Sequence, residues 1–133
     1  MNRDEFVEKY SGLVKLVADR IEKATKNGLL SIEDDLDIEK IHERDILEYG
    51  IMLVCNGYDP EVVKEILSNI ISHEKDEYTR LFKTIQSEAV YCINIGCDIK
   101  LTYYTLNSFS GLSFKDDPVK DFVEGKTKHL FPK

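Results

Sequence analysis

From Phe6 onward, apolar residues return at steps of three and four: Phe6, Tyr10, Leu13, Val14, Val17, Ile21 and Ala24. Glu8, Lys15, Asp19, Arg20 and Lys23 fall on the opposite face. That division predicts one amphipathic helix from about Asp4 to Lys26. Gly12 weakens such a helix by about 1 kcal/mol relative to Ala without breaking it. Asn27-Gly28 is a natural stop, since both residues tolerate a left-handed backbone. A second helix is expected over Leu29 to Leu36, with Ser31 capping its first turn and Asp34 completing a box-like pairing. Asp37 to Glu39 reads as a loop. A further helix is expected from Glu39 or Lys40 to Cys55, with Ile41, Ile46, Leu47, Ile51 and Val54 facing inward.

Asn56-Gly57-Tyr58-Asp59-Pro60 is the clearest punctuation in the chain. Asn-Gly ends one helix, Asp59 suits an N-cap, and Pro60 suits the first helical position, where its missing N–H does no harm. One long helix is expected to follow. Val62, Val63, Ile66, Leu67, Ile70 and Ile71 lead on to Tyr78, Leu81, Phe82, Ile85 and Ala89. Its polar middle, His73 to Arg80, is expected to protrude or to pair with another chain. Gly96 or Asp98 marks the break. Ile99 to Phe109 alternates in a way that suits a strand, but a helix fits better beside so much helix. Asn107 to Gly111 reads as a loop, Asp117-Pro118 as the start of a short helix through Val123, and Gly125 to Lys133 as a loose tail. These elements predict an all-α fold: a compact helical domain of about four to six helices. No repeat, low-complexity stretch or linker divides residues 1–133, so one domain is expected.

Composition narrows the partners. At 133 residues the chain can bury a core without disulfide or metal support. The 25 acids against 18 bases give a net charge of −7. Such a surface repels phosphate, so neither nucleic acid nor an anionic membrane is an expected partner. No apolar run approaches the roughly 20 residues of a spanning helix. The acidic start, Asp4-Glu5, leads into no signal-peptide core. Cys55, Cys92 and Cys97 form no CxxC pair and are odd in number. They read as buried free thiols in a reducing compartment, so a cytoplasmic location is expected.

Catalytic chemistry finds little purchase. Glu39-x-x-His42 has the spacing of one half of a di-iron site, but the second half is missing. His73 stands among Glu74, Asp76 and Glu77, whose charges oppose phosphorylation; a surface contact with Glu77 is the simpler reading. Cys92 and Cys97 lie five apart, hence on different parts of a helix, with no histidine close behind to activate them. The serines lie in no nucleophile motif, and the run Glu33-Asp34-Asp35-Leu36-Asp37 lacks the glycine and distal glutamate of a calcium loop. No enzyme activity, cofactor or metal is expected.

One ordered set of motifs remains. A helix ending in Lys23 and Lys26 is followed by Gly28-Leu29-Leu30-Ser31-Ile32-Glu33 and an acidic run. After a spacer and a short helix come Gly57-x-Asp59-Pro60-Glu61 and then Val62 to Leu67. An acidic stretch, Ser72 to Lys83, closes the series. In order and spacing this resembles the cytoplasmic domain of flagellar stator proteins of the MotA family. The likeness covers about residues 6–89, and about residues 98–133 form a C-terminal extension.

The resemblance implies a soluble relative of that domain that binds or scaffolds rather than catalyses, with a flagellar motor accessory protein as its sharpest form. In the family this domain docks on the rotor's switch protein through charges flanking the glycine. Lys26, Glu33 and Asp34 are accordingly the candidate partner-binding residues. The basic position three residues before the glycine is Thr25 here, with Lys26 beside it. Family members also continue into an apolar membrane helix, whereas Ser87 to Leu106 carries Glu88, Asp98 and Lys100. The implied partner is a rotor or stator component. The alternatives are a generic helical adaptor or regulator that self-associates as a homo-oligomer through the Asp59–Ala89 helix, and a helical metal-binding protein built around His42 or His73.

Overall fold

The computed structural model describes residues 1–127 and 129–132. All regular structure among them is helical: α1 (Arg3–Asn27), α2 (Ile38–His42), α3 (Ile46–Cys55), α4 (Pro60–Ile71), α5 (Glu77–Ile95), α6 (Ile99–Ser110) and α7 (Lys120–Lys126). Two 3-10 segments, Leu29–Asp35 and Phe114–Asp116, complete the set. The all-α expectation holds, but seven α-helices exceed the four to six expected. Two expected helices are each cut in two.

The first cut falls at Glu43-Arg44-Asp45. Arg44 takes a left-handed backbone with φ 59°, uncommon for a residue with a Cβ, and Asp45 restarts the chain by accepting the N–H of Glu48 at 3.0 Å. The second cut removes the long helix after Pro60. α4 stops at Ile71, and Asp76 caps α5 by accepting the N–H and hydroxyl of Thr79 at 3.0 and 2.6 Å. The polar stretch expected to protrude is therefore partly a turn, and α4 and α5 fold back against each other.

Smaller corrections follow the same capping logic. Asp37 is an N-cap of α2, accepting from Glu39 N, rather than part of a loop. Leu29–Asp35 winds as 3-10, and Ser31 lies inside it, donating its hydroxyl to the Gly28 carbonyl at 2.6 Å rather than capping it. Asp59 sits at the N-cap of α4 but makes no side-chain cap bond. α6 runs on to Ser110, through most of the expected loop.

α5 packs against α1, α3, α4 and α6, so the core lies around its inner face of Ile85, Ala89, Val90 and Ile93. The α1 stripe meets it: Phe6, Tyr10, Leu13, Val14, Val17 and Ile21 are all buried, as their spacing predicts. Gly50 is also required by packing. A Cβ there would stand 2.6 Å from Val90 Cγ2 and 3.0 Å from Leu67 Cδ1, so glycine lets α3 approach α5 and α4.

The C-terminal part is bound into this core. Asp117 is buried, and its Oδ2 accepts from Tyr10 OH at 2.6 Å, Tyr103 OH at 2.8 Å and Asn107 Nδ2 at 2.9 Å. Its Oδ1 accepts from Val119 N at 2.9 Å. One carboxylate thus joins α1, α6 and the start of α7. Where a loose tail was expected, α7 extends to Lys126. Leu130 is buried, its carbonyl accepts from Tyr104 OH, and Phe131 packs edge-on against Phe114 with ring centroids 4.9 Å apart. The expectation at Lys128 and Lys133 lies outside the described residues.

Candidate docking face at the end of the first helix

α1 ends where its apolar stripe meets Gly28, whose φ of 89° suits a residue without a Cβ. Gly28 N donates to the Ala24 carbonyl at 2.8 Å, closing the last turn and sending the chain back along α1 as the Leu29–Asp35 segment. Ile32 anchors that segment and is fully buried. Full burial of an isoleucine is worth about 1.5–3 kcal/mol, enough to hold so short a segment down.

Charge secures the far end. Lys23 Nζ stands 2.9 Å from Asp35 Oδ2, and Arg20 NH2 reaches the Asp35 carbonyl at 3.5 Å. The helix face expected to carry Arg20 into solvent instead buries it: Arg20 is 5% exposed and Glu48 4%. The guanidinium grips the Glu48 carboxylate with two bonds, NH1 to Oε2 and NH2 to Oε1, the latter at 2.8 Å. A fork of two parallel N–H···O bonds fixes orientation as well as distance. α1, α3 and the 3-10 segment are therefore held by one ion pair and its neighbours.

The three candidate residues stand on the outside of this clamp. Lys26 is in the last turn of α1, where a cation suits the negative helix end; its side chain is 71% exposed and 4.0 Å from Glu22. Glu33 and Asp34 are exposed on the 3-10 segment and form no ion pair among the described residues. Leu30, 66% exposed, rides between the basic and acidic parts. The fold thus places Lys26 on one side of the Gly28 turn, with Glu33 and Asp34 together on the other. Glu33 also acts inward: after burial, its charge is the second cause that pushes the Cys55 thiol above its ordinary range.

Sequence reasoning missed the supports beneath this face. Arg20, Glu48 and Asp35 are distant in sequence, and an arginine at the border of an apolar stripe reads as solvated. The available signal was that Arg20 falls three residues after Val17 and seven after Leu13, on the same three- and four-residue steps as the core stripe.

Beside the face, a cavity of about 380 Å³ opens between Ala24, Thr25 and Leu29 on one side and Ile93 to Cys97 on the other. His42 is exposed at the end of α2, and His73 is exposed in the turn between α4 and α5. Among the described residues, no three His, Cys, Asp or Glu side chains gather to hold a metal ion, and no helix is long and apolar enough to cross a membrane. The arrangement presents opposite charges on either side of the exposed Leu30.

Comparison with known proteins points, to a limited extent, toward the same family. Over 75 residues the chain is 35% identical to Motility protein A of Borreliella burgdorferi, a match covering 54% of this chain and 28% of that protein. The chain therefore spans little more than a quarter of that relative's length. No protein-family model matches, and no solved structure matches. The similarity supports a distant and partial MotA-like relation.

Proposed function

We propose that this chain is a non-catalytic docking module of the stator cytoplasmic-domain type, binding a flagellar motor component through Lys26, Glu33 and Asp34. The observation that carries the reading is the clamp. Ile32, Lys23 and Arg20 hold Leu29–Asp35 rigidly, yet Glu33 and Asp34 point outward with no ion-pair partner among the described residues. The backbone that carries these charges is already held, so binding has only side-chain freedom left to cost. The partial similarity to a motility protein supports the choice of partner class.

The test is the affinity of the intact chain for rotor switch protein and stator subunit from the same organism, with Glu33→Lys in parallel. A reversed charge at the centre of such a contact weakens binding about tenfold or more, equivalent to about 1.4 kcal/mol. The variant's melting temperature should match the wild type, because Glu33 is exposed. Equal affinity for both chains overturns the docking face. A stable homo-oligomer that binds neither motor protein replaces this reading with that of a self-associating adaptor.

A further inference from the structure

Cys92 and Cys97 are not on different parts of a helix. α5 ends at Ile95, and Gly96 turns left-handed with φ 82°. Two bonds then close the corner: Cys97 N to Cys92 O at 2.9 Å and Gly96 N to Ile93 O at 3.3 Å. This pair of bonds defines the Schellman C-cap, in which the residue after the glycine is folded back onto the residue five positions before it. Those two positions are the ones whose side chains meet, and here both are cysteine. The 2.9 Å bond from Cys97 N to Cys92 O holds the two backbones against each other, the close approach that a disulfide requires. The Cys92 thiol has Cys97 as a neighbour.

We propose that Cys92 and Cys97 form a dithiol modification site that closes to an intramolecular disulfide by exchange with a low-molecular-mass disulfide. The two thiols differ in access. Cys92 is 3% exposed, whereas Cys97 is half-buried and lines the cavity beside Thr25 and Leu29. Burial, followed by the neighbouring Cys97, pushes the Cys92 thiol up to about 11. Exchange therefore opens at Cys97. Its thiolate attacks one sulfur of the small disulfide, forming a mixed disulfide and releasing one small thiolate. Cys92 then gives its proton to solvent and attacks Cys97 Sγ. The Cys92–Cys97 bond forms, the bond to the second small thiol breaks, and that thiolate leaves. Two protein thiols are oxidised by two electrons, and one small disulfide is reduced to two thiols. Cys55, the last residue of α3, is not part of this C-cap corner and is not assigned to the pair.

This inference does not depend on the docking reading. Its test uses the reduced intact chain with oxidised glutathione, followed by alkylation under denaturing conditions and mass analysis of the tryptic peptide Thr84–Lys100, which carries both cysteines. The expected product is that peptide about 2 Da lighter, without alkyl groups, and restored by dithiothreitol. In Cys92→Ser, glutathione should remain trapped on Cys97. Two alkylated thiols in the wild-type peptide, a lasting glutathione adduct on wild-type Cys97, or a bridge to Cys55 or to a second chain would each overturn the proposal. Helical circular dichroism of Cys92→Ser confirms that the trapped species is folded. If that variant loses its helical signal, the wild-type peptide mass alone decides.

Discussion

Replacing Arg20 by Met tests whether the clamp beneath the candidate face is the buried ion pair described. The guanidinium makes two bonds to Glu48 and reaches the Asp35 carbonyl, with both partners of the pair almost wholly buried. Met keeps most of the volume and removes the charge. Glu48 is then left as a carboxylate without a cation in a site closed to water. Breaking a buried pair in this way costs about 3–5 kcal/mol, because desolvation of the remaining ion is no longer offset. For a chain of this size each kcal/mol corresponds to about 3–5 °C, so the midpoint should fall by about 9–25 °C. Removing both partners, in Arg20→Met with Glu48→Leu, leaves no orphan charge and should recover most of that loss. Urea unfolding followed by helical circular dichroism supplies the four free energies of the cycle, with an unchanged slope as the check on two-state behaviour. A loss below about 1 kcal/mol for Arg20→Met alone is the value of a solvated surface pair, and would refute the argument.

Asp117→Asn exchanges one acceptor oxygen for a donor, opposite either Val119 N or the donors from Tyr10, Tyr103 and Asn107. It should cost about 2–4 kcal/mol in the same urea experiment. Tyr10 and Tyr103 have pKa values raised above the ordinary range, first by burial and then by their bonds to Asp117. An unfolded chain releases these protons more readily, near the ordinary tyrosine value of about 10, so the stability they support is complete below that pH and lost as pH rises beyond it. A phenolate absorbance titration should show both withheld until the helical signal collapses. Gly50→Ala forces Val90 and Leu67 aside and should destabilise by about 1–3 kcal/mol, read as an earlier thermal midpoint.

The sequence was most legible where one signal acted alone. α1 is readable because seven apolar residues hold a single stripe, and the ends at Gly28 and Gly96 because glycine takes the positive φ each needs. The breaks at Arg44 and after Ile71 were not, since neither has a Gly or Pro. They are marked only by Asp45-x-x-Glu48 and Asp76-x-x-Thr79, caps that look like ordinary polar helix surface. Lys26, Glu33 and Asp34 enter as candidates only through the family resemblance, which implies docking charges on either side of the glycine. Arg20, Glu48 and Asp117 could not be named, because their burial depends on partners that only the folded chain brings near. Asp117 read as the start of a helix and proved to be the acceptor for three side chains.

The bond from Tyr10 to Asp117 joins residues 107 positions apart, whereas that from Arg20 to Glu48 spans only 28. During synthesis these two ties become available at very different times. The first helix can be fastened to the third while much of the chain is still unmade. Its N-terminal half must wait, with the Tyr10 hydroxyl unpaired, until Asp117 has left the ribosome. Nascent chains halted short of Asp117 should therefore be protected from proteolysis around Arg20 and remain open to it around Tyr10.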